Sequence, residues 1–241
     1  MADRTSENAW ILRLGSAAGV LGSLLAMVGN LLHPATPTGD PEGVARSIAE
    51  SGAWVAVHLL IIVGLIMMLG GLGAIALWID GGLPGALARM GLVTAIAGVT
   101  VGLVLVIVDG VAAKHLADAW AAAPAEEKAA ALRVVVGEET INFALASLFN
   151  ILFAGVAFML YGVAVASSGV HARWAAWLVA VAGAWSIPVG VVQAYVGEST
   201  TFTRVATIIS PTIITLWVAW VSWSIWRMTG WERSRQPAPS A

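Results

Sequence analysis

Six long apolar segments with few charges dominate the 241-residue sequence. Each can cross the hydrocarbon core of a bilayer, which takes about 20 helical residues. Lipid offers no hydrogen-bond partner to an open strand edge, so we expect every segment to be a helix. The predicted spans are residues 10–32, 54–79, 90–116, 139–166, 174–196 and 203–227. The sequence thus predicts an all-α fold, a polytopic membrane bundle of six transmembrane helices.

The composition supports a lipid environment. Only 11% of the residues are charged and 59% are hydrophobic, whereas a soluble domain carries roughly 25% charged residues. We therefore predict one transmembrane domain over residues 1–230, embedded in the lipid bilayer, and a disordered tail over residues 231–241. The absence of cysteine excludes disulfides, thiolate metal ligands and cysteine nucleophiles. A net charge of −2 provides no basic field, so we predict no nucleic-acid partner.

The basic residues indicate the orientation. Six crossings put both termini on one side of the membrane, and the loops and ends on that side hold seven basic residues against five on the other. By the positive-inside rule, both termini are cytoplasmic. We therefore predict a multi-pass cell-membrane protein whose other end, with most of the histidines, is extracytoplasmic.

The connections at this outer end are long and contain helix-start signals. The Asp-Pro-Glu segment at 40–42 combines an N-cap, a proline at the first helical position and an acid in the first turn. Pro124, followed by Glu126 and Glu127, is predicted to open a second helix that leads towards the fourth span. These short interfacial helices either cover the outer end as a lid or act as plain connectors.

Small residues recur at four-residue spacing in two of the spans. Gly15, Gly19 and Ser23 mark one face of the first span, and Gly98 and Gly102 mark one face of the third. Small residues at this spacing let helix backbones approach closely. They predict tight packing, either inside the bundle or between copies of the chain in a homo-oligomer.

Tryptophans concentrate near the predicted ends of the spans. Trp side chains prefer the membrane–water interface, so we interpret these residues as anchors. They are Trp10, Trp54, Trp78, Trp174, Trp217, Trp220, Trp223 and Trp226.

Ionisable side chains cluster at the outer end of the predicted bundle. Ionisable residues inside a membrane are rare and usually mark a functional site. The cluster contains His33, His58, Asp109, His115, Glu138, Glu139 and Glu198. The three glutamates can also be explained as helix-end groups; Glu138 and Glu139 open the fourth span, where a helix N-terminus favours carboxylates. His58 and Asp109 lie deeper in their spans and fit that explanation less well.

Two helix faces carry polar residues inward from this cluster. In the fourth span, Glu139, Asn142 and Asn150 share a face because their spacing follows the helical period. In the sixth span, Arg204 shares a face with several threonines. We expect both faces to point into the bundle and to line a polar pocket that narrows towards Asn150.

One hypothesis for the cluster is a metal centre. His33, His58 and His115, with Glu139 or Asp109, supply imidazole and carboxylate ligands, which suit zinc, copper or iron. Catalytic zinc sites use three protein ligands and a water, and a set of this size can provide them. Haem is the other cofactor that histidines in such a bundle could hold.

A second hypothesis is acid–base chemistry without a metal. Asp109 in a low-dielectric setting can act as a proton donor. Arg204 is then the expected counter-ion of Asp109 or Glu198, and Asn142 and Asn150 complete the catalytic pocket. The apolar bundle would bind a lipid-like substrate.

In a third hypothesis the cluster serves structure only, in a non-catalytic membrane subunit or a small-solute transporter. Our best hypothesis combines the first two. It is an integral membrane protein with an outward-facing His/carboxylate pocket, a metal- or proton-dependent enzyme or sensor that acts on a small apolar or lipid-like molecule.

Two short motifs frame the first outer loop. His33-Pro34 closes the first span, and Trp54-x-x-x-His58 enters the second. This stretch resembles small, uncharacterised six-span bacterial integral membrane proteins. The resemblance implies a six-span fold and directs attention to His33 and His58, but it implies no activity. The chain departs from the seven-span membrane zinc hydrolases, because its last span has no histidine.

Overall fold

The computed structural model describes residues 2–198 and 200–234, with the side chains of residues 8–198 and 200–229. Every regular element within these ranges is a helix. In chain order they are α1 (Ala2–Leu32), α2 (Pro41–Glu50), α3 (Trp54–Trp78), α4 (Gly82–Ile107), a π-helical segment π1 (Val108–Ala112), α5 (Ala113–Ala122), α6 (Lys128–Phe149), a second π-helical segment π2 (Asn150–Ala157), α7 (Phe158–Ser168), α8 (Arg173–Val196) and α9 (Thr201–Ser234). A π-helix bonds residues five apart, so its turns are wider than those of an α-helix.

Six helical runs are long and apolar enough to span a membrane, which confirms the predicted helix bundle. They are Asn8–Leu32, Trp54–Trp78, Gly82–Ala122, Lys128–Ser168, Arg173–Val196 and Thr201–Thr229. The loops after the first, third and fifth spans lie at one end of the bundle, here called the site end. α9 continues to Ser234, four residues into the tail predicted as disordered. The rest of that tail lies outside the described residues.

The third and fourth spans form a long helical hairpin. Each run has 41 residues, which is about 60 Å at 1.5 Å per residue and twice the thickness of the hydrocarbon core. The hairpin is therefore longer than the hydrocarbon core is thick. The second interfacial helix predicted from Pro124 is not a separate element, because the helix that starts at Lys128 continues into the fourth span. Glu138 lies ten residues inside this helix, so the helix-end explanation for Glu138 was wrong.

The first interfacial helix, α2, forms as predicted. A side-chain oxygen of Asp40 accepts a hydrogen bond from the backbone N–H of Gly43 at 3.0 Å and caps the helix. Val44 and Ile48 are buried against Trp54, at the start of α3, and against α5. α2 is therefore a packed part of the site end.

The small-residue faces are covered inside the chain. A Cβ on Gly19 would lie 2.8 Å from the Cα of Gly71, and a Cβ on Gly98 would lie 2.7 Å from the backbone nitrogen of Phe153. α1 therefore packs on α3, and α4 packs on π2, at backbone distance. These small-residue faces therefore serve packing inside the chain.

Two of the tryptophans predicted as anchors belong to the interior. Trp54 and Trp217 are only 1% and 5% exposed. Trp174 and Trp223 are exposed near helix ends, where interfacial anchors are expected. Trp54 lies at the site end, and its burial there has a role in the site.

Candidate metal centre

Three ligand-type side chains from three spans meet at the site end. His33 follows the last residue of α1, His58 lies one turn into α3, and Asp109 lies in π1. The two histidine Nε2 atoms are 3.2 Å apart. Oδ2 of Asp109 lies 3.1 Å from Nε2 of His58 and 3.9 Å from Nε2 of His33. We call these three side chains the His–His–Asp group.

The second ring nitrogen of each histidine fixes its tautomer. Nδ1 of His58 lies 2.7 Å from the carbonyl oxygen of Trp54, and Nδ1 of His33 lies 2.9 Å from that of Pro34. A carbonyl oxygen only accepts, so each Nδ1 carries a proton, and in a neutral ring Nε2 then presents a lone pair. Burial lowers the pKa of His33 below its ordinary value of 6.5 and so favours the neutral ring. Two lone pairs and a carboxylate oxygen therefore face one another.

The three acceptor atoms are spaced as metal ligands are. The circle through points 3.1, 3.2 and 3.9 Å apart has a radius of about 2.0 Å, close to the zinc–nitrogen and zinc–oxygen bond lengths. An ion at its centre would lie at bonding distance from all three atoms. Histidines that bind metals usually donate their other N–H to a carbonyl or carboxylate, as both histidines do here. The His–His–Asp group therefore fits a first-row transition metal.

A wide helical turn, a glycine and an indole bring Asp109 to the histidines. Gly110 in π1 lies so close to His58 that a Cβ there would be 2.7 Å from the ring Cγ. Trp54 donates its indole N–H to the backbone carbonyl of Asp109 at 2.7 Å. The ring centroid of Trp54 is also 4.9 Å from that of each histidine. π-helical turns are frequent at functional sites, and π1 positions a ligand here.

A cavity of about 420 Å³ opens beside the His–His–Asp group and extends between the spans. This volume lies within the roughly 300–1,000 Å³ of small-molecule sites. Asn142, Asn150 and Gln193 lie in its wall, and Leu65 and Phe153 are among its apolar lining. The polar pocket expected from the helix faces is therefore present, and Asn142 and Asn150 line it as predicted.

Two residues predicted as metal ligands lie outside the group. His115 is exposed on α5, six residues after Asp109, so it faces another side of the helix. Glu139 lines a neighbouring cavity with His33 and Asn142, but it is not part of the group that could hold an ion. Asp109, which the acid–base hypothesis used as a proton donor, occupies the third ligand position.

Arg204 is not the counter-ion of Asp109 or Glu198. Its guanidinium donates to the backbone carbonyl of Thr36 at 2.9 Å, and it forms no salt bridge with any carboxylate in the described part of the chain. Asp109 is paired with His58 instead. Arg204 lines the outer cavity with Glu139, so both residues lie near the site without joining the His–His–Asp group.

Sequence reasoning missed three residues that build the site. Trp54 was interpreted as an anchor, although its four-residue spacing from His58 is the spacing at which a backbone carbonyl meets a histidine ring. Gly110 directly follows Asp109, and a glycine beside an intramembrane carboxylate is a signal for close approach. Gln193 lay at a predicted span end, and only the fold shows that it bonds to Asn150.

No protein-family model, curated protein or solved structure matches this chain. Its function is therefore argued from the geometry of the His–His–Asp group and of the cavity beside it.

Proposed function

We propose that this chain is a membrane metalloprotein in which His33, His58 and Asp109 bind one divalent transition-metal ion. The ion would lie at the outer end of the cavity and act there on a small apolar or lipid-like molecule. The single observation that supports this most is the convergence of three acceptor atoms on a point about 2.0 Å from each of them.

The desolvation cost of the group supports a cation at its centre. His58 is 2% exposed, and its Nε2 faces a carboxylate and another imidazole nitrogen. With both rings neutral, these acceptor atoms have no donor between them, and such atoms repel one another. A metal ion would bond to all three atoms, whereas a proton on His58 would serve only its contact with Asp109.

The ligand set points to zinc or iron(II). Two histidines and one carboxylate form the ligand sets of several zinc hydrolases and of non-haem iron(II) enzymes. Haem fits less well, because two axial nitrogens on one iron are about 4 Å apart at 2.0 Å bond lengths, whereas these nitrogens are 3.2 Å apart. The haem considered from the sequence is therefore the weaker choice.

The cavity supports a small amphipathic ligand at the metal. Three protein ligands leave a zinc ion a further position for water or substrate, and the His–His–Asp group lines the cavity directly. Asn142 lines the same cavity, and its buried Oδ1 has no hydrogen-bond partner among the described residues. Asn142 is thus placed to orient a group that the metal holds. From the distribution of basic residues, we propose that this site faces away from the cytoplasm.

Protons are the alternative to a metal ion. A protonated His58 would donate to Asp109 across their 3.1 Å contact, and the pair could then exchange protons with a ligand in the cavity. This alternative keeps the cavity and the role of Asp109 but predicts no bound metal.

Metal titration of the purified full-length protein separates these possibilities. After chelation, zinc(II) and, without oxygen, iron(II) are titrated into the wild type and three variants. We expect one ion per chain in the wild type and an affinity loss of at least about 100-fold in His58→Ala and Asp109→Asn, since even outer-shell partners are worth 10–100-fold.

His115→Ala is the matched control, because His115 is an exposed histidine six residues from Asp109. It should bind metal like the wild type. Equal losses in His58→Ala and His115→Ala would contradict the assignment. Absence of stoichiometric metal binding in the wild type would favour the proton alternative.

A further inference from the structure

A pair of carboxamides lies in the wall of the same cavity. Nδ2 of Asn150 donates to Oε1 of Gln193 at 2.8 Å, and the two side chains are only 7% and 6% exposed. Asn150 begins π2, and Gly190 allows α8 to approach it, since a Cβ on Gly190 would lie 3.2 Å from the Cβ of Asn150. The close approach of α8 to π2 therefore places these two amides in contact.

The pair retains unused hydrogen-bonding capacity. Each primary amide has one acceptor oxygen and an NH₂ donor. After their mutual bond, Oδ1 of Asn150 and Nε2 of Gln193 have no other hydrogen-bond partner in the described ranges. Both residues line the cavity. Exchanging the oxygen and nitrogen of both amides gives the same result, so one residue of the pair presents an acceptor and the other presents a donor.

Burying such groups at membrane depth is costly unless something binds them. Amide groups that line a largely apolar cavity need hydrogen-bond partners from whatever occupies it. A ligand group that both donates and accepts, such as a carboxamide or a hydroxyl, would satisfy both atoms at once. A charged group fits poorly, because among the described lining residues only those of the His–His–Asp group are ionisable.

The two polar features are separated along the cavity. Asn142 lines both the cavity and its outer neighbour beside His33 and Asp109. Asn150 lies eight residues further along the same helical run, about 12 Å deeper at 1.5 Å per residue. Ile61, Leu65 and Phe149 are among the apolar residues that line the same cavity.

We infer that the cavity selects a ligand with two polar ends, a metal-binding group at the His–His–Asp group and a neutral carboxamide or hydroxyl that binds Asn150 and Gln193, joined by an apolar chain. This inference rests on the proposed metal centre and specifies the ligand class for it. Asn150 and Gln193 are thus specificity-determining residues of that site.

Straight-chain hydroxamates test this inference, because the hydroxamate binds the metal and the other end can be varied. Probes with a terminal methyl group and with a terminal carboxamide are compared. Their chain lengths cover the separation between the His–His–Asp group and the Asn150–Gln193 pair. Binding is measured on zinc-loaded, full-length protein. At the matching length we expect the carboxamide to bind about tenfold more tightly, the gain expected from one to two additional hydrogen bonds.

The matched variant is Asn150→Leu/Gln193→Met, which replaces both partners by apolar groups of similar size. Replacing both partners of a buried hydrogen bond can be nearly neutral for stability. We expect this variant to bind zinc and the methyl probe like the wild type and to lose the preference for the carboxamide. Gln193→Asn retains the amide but withdraws it by one methylene, so it should reduce the preference even if the double variant is unstable.

The outcomes distinguish the two proposals. Equal binding of the two probes by the wild type at every chain length, or a preference that persists in the double variant, overturns the amide-pair inference alone. If neither probe shows zinc-dependent binding, the metal centre is overturned and this inference with it.

Discussion

The two halves of this bundle differ in what lies between their helices. Away from the site end, helices meet at backbone distance: a Cβ on Gly15 would lie 2.7 Å from the carbonyl oxygen of Gly70. The buried hydroxyl of Tyr161 is satisfied by the backbone carbonyl of Leu72 at 2.9 Å. Towards the site end, a cavity opens between the helices, and Asn142 and Asn150 line it.

The difference shows how one apolar fold can be rigid and still contain a site. Small residues close the first half, because they let backbones touch. The second half contains the two wide π-helical segments. Each supplies a polar residue to the cavity wall, Asp109 from π1 and Asn150 from π2. Local backbone irregularity at membrane depth is tolerated where it lines a cavity. The comparison predicts that equivalent substitutions in the two halves have different consequences.

The largest expected effect comes from a glycine in the cavity half. In Gly110→Ala the new methyl group would overlap His58, so the imidazole must move away from the ligand position. We expect metal affinity to fall by about 100-fold or more, as for loss of a ligand. Gly137→Ala is the control, because no described atom lies within 4 Å of a Cβ there. Wild-type zinc affinity in Gly110→Ala would show that His58 does not bind the metal as placed.

The same substitution in the closed half should affect stability instead. A Cβ on Gly71 would lie 2.5 Å from the Cα of Gly19, on backbone that cannot yield easily. We expect Gly71→Ala to lose about 1–3 kcal/mol of stability through overpacking and to retain its zinc affinity. Thermal denaturation in detergent measures this loss, with Gly73→Ala as the control, because a Cβ there meets no described atom within 4 Å. Equal stability of the two variants would contradict the description of this half.

A smaller effect is expected from the indole that supports π1. Trp54→Phe retains an aromatic ring but removes the N–H that donates to the carbonyl of Asp109. Because such outer hydrogen bonds orient metal ligands, we expect roughly a tenfold loss of zinc affinity, at the lower end of their usual range. Trp223→Phe, at an exposed tryptophan, should leave the affinity unchanged. The prediction fails if the two variants bind zinc equally well.

The smallest effect should come from Arg204. Its hydrogen bond to the carbonyl of Thr36 is worth about 1 kcal/mol of stability. We expect Arg204→Gln to change zinc affinity by less than about threefold, because Arg204 forms no ion pair with Asp109 that the substitution could remove. An affinity change as large as that of Asp109→Asn would restore Arg204 as the partner of Asp109.

Much of this organisation could be predicted from the sequence. Hydropathy gave the six spans, and a shared depth brought His33, His58 and Asp109 into one cluster. Hydropathy does not give the rotation of each helix, so His115 was included with Asp109 although the two face different sides. It also does not show that a helix continues past the bilayer, which is why Glu138 was interpreted as a helix-end group. The π-helical turns depend on packing between spans, and no local sequence pattern predicted them.

X-ray absorption spectroscopy of the zinc-loaded protein reports the ligands of the ion itself. We expect nitrogen and oxygen ligands at about 2.0–2.1 Å, with the scattering of two imidazole rings in the wild type and in His115→Ala. One ring should remain in His33→Ala. A spectrum with no imidazole scattering, or with scattering that changes in His115→Ala and not in His33→Ala, would contradict the metal centre described above.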